Sequence, residues 1–419
     1  MRTFFFNTLA IACLAFSLSA CKKEETTAPP PQSETQPASA NAPTLDCFEG
    51  NPICPQIIIA GDSDSRLPNG ELSPFRGFAD PTIRQDPQSG RIWMAYSWPN
   101  VHVLGPLEVV PGVDIHLAHS DDGGATWTYD GDLWSSYADT DRGGDGAPGF
   151  TDHEVANLLP IQNASGLTWI GARLDYFLPT SGGFKERPIG SFRLVLTQAD
   201  TPQQLRDAPS VTLGSSLTSP GWGVDFYLSS LDASLNRCSL WNEPALFYEN
   251  ETLYLVVRCL AYSRTTSLPL MDQSDLVVFS ARPVGDVKSW QWSYLGVLAG
   301  SNEARELGGD GLTQVDLAKG TDGALLAVIT TDAWSNAERD FIHYGCLVVE
   351  VESLDPPALK RDGNGNLIVR AVATASDQLP LGPGACSYDP ASATGVLIVR
   401  REKVEGYMVA GIFTTGLKP

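Results

Sequence analysis

The sequence predicts an all-β fold over most of its 419 residues. Three observations predict it. Thirty-nine Gly and thirty Pro are spread along the chain, only 18% of the residues are charged, and short β-branched and aromatic runs recur between turn residues. Such a composition suits many short strands and tight turns better than long amphipathic helices. We expect residues 45–419 to form a single domain.

Strand-forming runs follow one another from the first quarter of the chain to its end. Apolar, β-branched and aromatic residues dominate each run, and turn residues separate it from the next. Only short pieces such as 201–207 look helical. The predicted strands are 91–98, 114–120, 191–198, 252–260, 275–281, 324–331, 346–353, 366–373 and 394–399.

The N-terminal segment has the features of an export signal. Arg2 precedes an apolar run, and small residues follow it directly before Cys21. The run is shorter than the roughly 18 residues expected to span a bilayer, so a signal peptide over residues 1–20 is favoured over a transmembrane anchor. The stretch Leu18-Ser19-Ala20-Cys21 resembles the lipobox of bacterial lipoproteins. This resemblance implies cleavage before Cys21 and attachment of lipid to its thiol.

A lipoprotein of this kind would be tethered to a membrane of the cell envelope. Lys22 and Lys23, rather than Asp, follow the cysteine, which in lipoproteins implies the outer membrane if the cell is Gram-negative. Residues 21–44 lack aromatic and large aliphatic side chains. They cannot bury enough apolar surface to offset the entropy of ordering, and we expect a flexible tether.

Charge and cysteine content restrict the partners. The formal net charge is −21, which repels a phosphate backbone and argues against nucleic acid as a partner. Six cysteines follow Cys21, an even number that indicates disulfides in an exported chain. Six cysteines allow about 15 pairings. Proximity in sequence suggests Cys47–Cys54, Cys238–Cys259 and Cys346–Cys386. The absence of CxxC spacing argues against a zinc site, and neither a metal nor a cofactor is expected.

A faint internal repeat indicates a propeller. The stretch TWTYDGDLW at 126–134 is echoed by QWSYLGVL at 291–298, and SDDGGATW at 120–127 precedes the first copy. This segment matches the S-x-D-x-G-x-T-W pattern, which resembles the Asp-box of sialidases and related β-propellers. The echo keeps Asp286 and Trp290 but lacks the glycine pattern. Blades of about 50 residues would give about seven, and long loops reduce this expectation to six.

The resemblance to the sialidase superfamily extends over most of the globular part. It implies that Arg76, just before the first strand, is one of three arginines that bind a substrate carboxylate. Here the family's Arg-Ile-Pro is replaced by Arg76-Gly77-Phe78, and Asp80-Pro81 follows. An Asp-Pro at this place also resembles the start of five-bladed glycosidases acting on arabinan or fructan, in which the aspartate is catalytic. Alternatively, Asp80 initiates the turn before a strand.

A second match lies in WNEPALFYENETLYLVVRC, where Glu243 precedes Arg258 by fifteen residues across one predicted hairpin. The hairpin would place both side chains at the same end of neighbouring strands, at the mouth of a pocket. The resemblance implies that Glu243 polarises a tyrosine nucleophile and that Arg258 is the second arginine. The alternative is an ordinary salt bridge, because a charge within an apolar strand needs a partner in any case.

The remaining site residues are less well defined by the resemblance. Tyr344, just before a strand, is the candidate nucleophile, and it could equally be a packed aromatic residue beside the Cys346 disulfide. Arg339 is the candidate third arginine, with Arg305 as its rival. Asp152 is the candidate proton donor. Asp145, His153 and Glu154 lie in the same segment as Asp152 and are its alternatives.

Two functions fit these observations. The first is a sialidase-like glycoside hydrolase acting on a cell-surface or environmental glycan. The second is a non-catalytic surface propeller that binds glycan or protein and has lost the chemistry. Convergence of Arg76, Glu243, Arg258 and Tyr344 on one central pocket would favour the enzyme.

Overall fold

The strands form a five-bladed β-propeller. A computed structural model describes residues 42–105, 108–140, 148–163, 166–180, 192–215, 228–263, 265–266, 268–377, 381–404 and 407–419, and the strands in these ranges form five sheets. The all-β propeller expected from the sequence is confirmed, but the expected blade number of six is wrong. The longest strands reach 15 residues, so a blade takes up about 75 residues of the domain instead of about 50.

Three short N-terminal strands precede the blades: β1 (Thr44–Asp46), β2 (Ile59–Ala60) and β3 (Arg76–Gly77). Blade 1 consists of β4 (Ala79–Gln85), β5 (Ile92–Gly105), β6 (Glu108–Ser120) and β7 (Trp127–Trp134). Blade 2 consists of β8 (Tyr137–Asp139), β9 (Gly149–Asn163), β10 (Gly166–Pro179), β11 (Phe192–Ala199) and β12 (Ser210–Ser215).

Blade 3 is a meander of β13 (Leu240–Glu249), β14 (Thr252–Tyr262), β15 (Pro269–Ala281) and β16 (Trp292–Ala299). Blade 4 consists of β17 (Gly311–Lys319), β18 (Leu325–Ser335), β19 (Asp340–Leu354), β20 (Pro357–Leu359) and β21 (Val369–Thr374). Blade 5 consists of β22 (Gly384–Ser387), β23 (Leu397–Val404) and β24 (Tyr407–Thr414). The described helices are α1 (Ser301–Glu306) and short 3₁₀ turns, one of them at Gln203–Arg206. None of them is long and apolar enough to cross a membrane.

The N-terminal strands close the ring by pairing with later blades. Strand β3 joins β24 in parallel and so completes blade 5 with residues from the start of the domain. Gly77 has a φ of +105°, and a Cβ at this position would lie 2.0 Å from the carbonyl oxygen of Ala410. Only glycine therefore allows this close approach of β3 to β24. Strands β1 and β2 pair in the same parallel sense with β21 and β7.

Each blade buries apolar side chains on both of its faces. One apolar cluster lies between blades 2 and 3 and includes Leu196 and Trp241; another lies between blades 3 and 4 and includes Val256 and Ile329. Because both faces are covered, the middle strands are continuous apolar runs, such as TLYLVVRCL in β14. This explains why the runs were recognisable in the sequence without a polar and apolar alternation.

The innermost strands β4, β9, β13, β17 and β22 pack in a closed ring. Polar side chains on them link neighbouring blades by accepting a backbone N–H from the next blade. Within the part of the chain that the structure describes, no such link starts from blade 3, because Ala245 stands at that place and its side chain has no acceptor. The links run from the N–H of Leu158 to Thr82 Oγ1 (3.5 Å), of Leu246 to Asn157 Oδ1 (3.0 Å), of Tyr388 to Asp316 Oδ2 (3.2 Å) and of Ile83 to Ser387 Oγ (3.0 Å).

The six cysteines of the domain form the three disulfides suggested by proximity in sequence, so this pairing is confirmed. Cys47–Cys54 closes a loop in the N-terminal segment, and Cys238–Cys259 joins blade 3 to the turn before it. Cys346–Cys386 connects β19 of blade 4 to β22 of blade 5. The third disulfide therefore fixes two neighbouring blades beside the central ring.

The two repeated segments form the fourth strands of blades 1 and 3, β7 and β16, and equivalent turns precede them. In blade 1, Asp122 accepts hydrogen bonds from the Thr126 N–H (2.9 Å) and hydroxyl (2.7 Å), and the Trp127 indole donates to Gly124 O (3.1 Å). In blade 3, Asp286 accepts from the Lys288 N–H. The aspartate orders the turn in both blades.

Candidate functional site

A backbone bulge recurs at the same level of all five innermost strands. The strand pairing skips two residues at each of these places, and one residue in each bulge has a left-handed φ between 45° and 57°. Such values are uncommon for residues other than glycine, and they concentrate at functional sites. The five residues, from blade 1 to blade 5, are Asp80, Val155, Glu243, Gln314 and Ala385.

All five bulge residues line one central cavity. The space open to water-sized molecules is about 40 Å³, within a void of about 710 Å³ that includes the solvent at its mouth. This is enough room for several waters, because one water needs roughly 10–15 Å³. The wall also includes Glu154, Tyr176, Phe192, Asn242, Arg258, Thr313, Phe341, His343, Arg401 and Met408.

Glu243 is the carboxyl group that holds a proton in this cavity. Burial raises its pKa to about 8, the nearby charges of Asp80 and Asp332 act in the same direction, and Arg258 opposes them. Its Oε1 accepts a hydrogen bond from Asn242 (3.0 Å), whereas Oε2 has no partner among the described residues. At neutral pH, Glu243 is therefore a carboxylic acid with one oxygen open to the cavity.

Asp80 is the second buried carboxyl group. Burial raises its pKa, but hydrogen bonds from Ser97 and Gln314 and the charge of Arg401 favour its ionised form. The Gln314 amide donates directly to Asp80 Oδ1. The net effect is a pKa of Asp80 above its ordinary value. The two carboxyl groups are close enough for the charge on Asp80 to raise the pKa of Glu243 to about 8, so Glu243 is the group of the pair that keeps its proton to higher pH.

Both arginines of the cavity wall are bound to groups of the protein. Arg258 Nη2 lies 2.9 Å from Asp332 Oδ2, and its Nε donates to Ser274 Oγ at 2.9 Å. Its guanidinium also lies 4.9 Å from the ring centre of Phe341. Arg401 donates to two backbone carbonyl oxygens, at 2.6 and 3.3 Å. These contacts anchor the guanidinium groups inside the wall.

His343 is a neutral side chain in the same wall. Burial and the charges of Arg401 and Arg258 lower its pKa well below the ordinary value. Its ring lies against Gly384, where a Cβ would come within 2.3 Å of Nδ1. Nδ1 has no partner among the described residues. Among the described residues of the cavity wall, Glu243 Oε2, Gln314 Oε1 and His343 Nδ1 are buried without a hydrogen-bond partner. Arg258 Nη2 also makes no hydrogen bond and has only its ion pair with Asp332.

A buried ion pair supports the bulges. Arg84 of β4 and Asp316 of β17 form a two-pronged contact, and Asn157 (3.1 Å) and Ser387 (2.7 Å) also donate to Asp316. Burial alone would raise the pKa of Asp316, but Arg84 and these hydrogen bonds hold it below its ordinary value. Four of the five blades thus meet at one ionised carboxylate, two residues after the bulge position of blade 4.

Of the candidates from the sequence, Asp80, Glu243 and Arg258 line the cavity. Asp152 does not: it is buried against His102, with 2.6 Å between Asp152 Oδ1 and His102 Nε2, and burial raises its pKa. Glu154, two residues further along β9, lines the cavity instead.

The other candidates lie away from the cavity wall. Arg76 donates to Ser73 O at 2.9 Å and lies 3.5 Å from Asp64. Arg339 is exposed in the turn between β18 and β19. Tyr344 is 44% exposed, and burial together with the charges of Asp310 and Asp332 raises its pKa. Cys21 and Asp145 lie outside the described residues. The proposed tyrosine and three arginines therefore do not converge on one pocket.

Sequence reasoning missed Gln314, His343 and Arg401. One signal was available, because the bulges of blades 1 and 3 read Asp80-Pro81 and Glu243-Pro244. Proline cannot donate to a strand ladder and is confined to edges and bulges. Two acid-proline pairs at the starts of buried strands therefore indicated two equivalent bulges. The described residues contain no group of His, Cys, Asp and Glu side chains arranged to hold a metal ion.

Comparisons with known proteins show similarity to several solved structures. A Bacillus subtilis arabinanase is 11% identical, with 81% of this chain and 96% of that chain covered and a TM-score of 0.39. A Podospora anserina α-L-arabinofuranosidase in complex with cellotriose is 9% identical, with coverages of 84% and 95% and a TM-score of 0.40. A protein of unknown function from Dyadobacter fermentans is 13% identical, with coverages of 87% and 99% and a TM-score of 0.45.

No protein-family model and no curated protein sequence matches the chain. The similarities to solved structures are at low identity and low TM-score. The chemistry of the site therefore has to be inferred from its own side chains.

Proposed function

We propose that this protein is a glycoside hydrolase in which Glu243 is the general acid and Asp80 is the catalytic carboxylate. The observation that carries the proposal is the convergence of two buried carboxyl groups on equivalent bulges, where the charge of Asp80 helps to raise the pKa of Glu243 to about 8. Hydrolysis of a glycosidic bond needs this combination.

In the reaction, Glu243 donates its proton to the oxygen of the leaving group as the glycosidic bond breaks. A pKa of about 8 keeps it protonated at neutral pH. Asp80 acts on the opposite side of the anomeric carbon. It either takes a proton from the attacking water, which inverts the configuration, or attacks the carbon itself to form a glycosyl-enzyme. In the second course, water then displaces Asp80 while Glu243 takes up the proton of the water, and the two displacements together retain the configuration. NMR of the first-formed product distinguishes these two courses.

The arginine contacts favour a neutral sugar as the substrate. An acidic sugar would need a guanidinium with hydrogen-bond donors directed at its carboxylate. Arg258 is engaged by Asp332 and Ser274, and Arg401 by two carbonyl oxygens. The competing hypothesis is a sialidase-type reaction, with Tyr344 as nucleophile and Arg76, Arg258 and Arg339 on a carboxylate. It predicts the opposite preference.

A panel of chromogenic neutral glycosides and sialosides tests the proposal. We expect turnover of a neutral glycoside, and Glu243→Gln and Asp80→Asn should each reduce kcat/KM by roughly 10²- to 10⁴-fold. Glu251→Gln is the matched control, because Glu251 is an exposed carboxylate in the same blade. Turnover of sialosides alone would favour the competing reaction. No turnover of any member would leave a non-catalytic propeller that binds glycan or protein.

We further propose that the domain is held at the cell envelope by lipid on Cys21. Support comes from residues 1–21, which have the order of charge, apolar run and small residues expected of a lipoprotein signal. Incorporation of labelled fatty acid into wild type, and its loss in Cys21→Ala, is the expected result. Equal labelling of the two proteins would contradict the anchor.

A further inference from the structure

Gln314 occupies the bulge of blade 4, the position equivalent to those of Asp80 and Glu243 in blades 1 and 3. It is nine-tenths buried and lines the central cavity. Its left-handed φ of 45° is unfavourable for a residue with a side chain. A similar left-handed φ recurs at all five bulges, and Gln314 is the residue among them, besides Asp80 and Glu243, that carries a polar side chain.

The side chain reaches from blade 4 to blade 1. Its Nε2 donates to Asp80 Oδ1, although the two residues are 234 positions apart in the chain. Blade 5 lies between these blades, and its own bulge residue is Ala385, whose side chain is a methyl group.

The hydrogen bond to Asp80 defines the orientation of the Gln314 amide. Nε2 is the atom that donates to Asp80 Oδ1, so the NH₂ group faces the carboxyl group and the carbonyl oxygen faces away. That oxygen, Oε1, is buried and has no partner among the described residues. A buried carbonyl oxygen without a donor is costly, which indicates that a donor is supplied when a ligand occupies the cavity.

The required donor identifies the class of ligand group. A carbonyl oxygen cannot bind a carboxylate, but it readily accepts from a hydroxyl group. Because the other end of the same amide holds Asp80, this hydroxyl would lie next to the reacting carbon.

We propose that Gln314 is a positioning residue that holds Asp80 through its NH₂ group and binds a hydroxyl group of a neutral sugar through Oε1. This inference rests on the proposed glycoside hydrolase activity. It adds to that activity that one side chain, Gln314, binds the substrate and also holds the catalytic carboxylate of Asp80 in place.

The first arm of the test needs no substrate. The pKa of Asp80 is measured by NMR of carboxyl-labelled aspartate in full-length wild type, Gln314→Met and the control Gln162→Met, with Asp80→Asn for assignment. Met has a similar length but no amide, so the pKa of Asp80 should rise in Gln314→Met, because the ionised form loses a hydrogen bond. Gln162 is exposed on β9, and Gln162→Met should leave the pKa unchanged.

The second arm uses the neutral glycoside that wild type hydrolyses and its analogues, each lacking one hydroxyl group. Gln314→Met should lower kcat/KM roughly 10- to 100-fold. In a plot of kcat/KM against pH, the decrease on the acidic side should begin at a higher pH than in wild type, because the pKa of Asp80 is higher. With one of the deoxy analogues, the kcat/KM of wild type should fall by a similar factor, because the hydroxyl group that Gln314 binds is missing. For Gln314→Met, removing that same hydroxyl group should lower kcat/KM little further. If Gln314→Met does not fold, Gln314→Asn replaces it, because Asn tolerates a left-handed φ and its amide is one methylene shorter.

The outcomes separate the two proposals. The role of Gln314 would be overturned if the pKa of Asp80 stays unchanged in Gln314→Met. It would also be overturned if removing any one hydroxyl group lowers kcat/KM by the same factor in Gln314→Met as in wild type. In either case, turnover by wild type would still support the hydrolase. Absence of turnover by wild type would overturn the hydrolase and the hydroxyl contact together.

Discussion

Replacing Arg258 by alanine tests whether this arginine stabilises the protein or binds a ligand. In the folded protein it is 1% exposed and pairs with Asp332, whose side chain is fully buried. The substitution removes the partner of a buried carboxylate. Such a change costs about 3–5 kcal/mol, because the remaining charge is left without compensation.

The corresponding shift in melting temperature follows from the size of the domain. Unfolding entropy is about 2.1 cal/mol/K per residue, and residues 45–419 number 375, which gives roughly 0.8 kcal/mol/K. A loss of about 3–5 kcal/mol therefore lowers Tm by about 4–6 °C. Arg282→Ala is the matched control, because Arg282 and its partner Glu251 are both more than 70% exposed. It should change Tm by about 1 °C or less.

The effect depends on pH with a defined sign. Burial already raises the pKa of Asp332, and Arg258 opposes this. Without Arg258 the folded-state pKa rises further, so the folded variant takes up a proton more readily than the unfolded chain. Its stability then falls as the pH rises above the ordinary range of an aspartate. The loss relative to wild type should be larger at pH 8 than at pH 5.

A double variant completes this test. Arg258→Met with Asp332→Leu removes both charges and should recover most of the lost stability. Thermal melting of the four proteins at both pH values, with hydrolysis measured alongside, gives the answer. The reasoning is refuted if Arg258→Ala abolishes ligand binding while Tm stays within about 1 °C of wild type, as expected for an arginine reserved for a substrate carboxylate.

The remaining predictions concern Glu243, the cavity wall, the disulfides and the domain boundary. The free energy of unfolding of wild type, measured by urea titration, should fall as the pH rises from about 4.5 to about 8, because burial raises the pKa of Glu243 in the folded protein over that interval. In Glu243→Gln this fall should be smaller, because the glutamine does not titrate. Gly384→Ala should lower both Tm and kcat/KM by displacing His343, whereas Gly363→Ala, in open space, should change neither. Unfolded, unreduced protein should show no reactive thiols in the domain. A chain beginning at Leu45 should melt in one transition.

Features set by local composition were predictable from the sequence. The apolar run at 252–260 lies within β14, and that at 275–281 lies within β15. Each middle strand is buried on both faces, so its composition alone marks it. The disulfides could be suggested because each joins cysteines that are neighbours in sequence. The short helical piece at 201–207 is a 3₁₀ turn over Gln203–Arg206.

The site was less predictable because it depends on backbone conformation and on distant contacts. Val155 and Gln314 stand within ordinary apolar strands, and nothing in their neighbours shows the left-handed φ that turns them into the cavity. The contact between Gln314 and Asp80 joins blades 4 and 1. The Glu243–Arg258 hairpin is local, and there the spacing does bring both side chains to the cavity wall.

The central ring separates the positions that determine chemistry from those that maintain the fold. At the bulge level, the residue differs in every blade, and two of the five, Val155 and Ala385, are small and apolar. Two residues later, Asn157, Asp316 and Ser387 bind neighbouring blades through hydrogen bonds. The bulge side chains line the cavity, and the backbone at each bulge already leaves the strand ladder. Substitution at the bulge level should therefore change activity more than stability, and substitution two residues later should do the reverse.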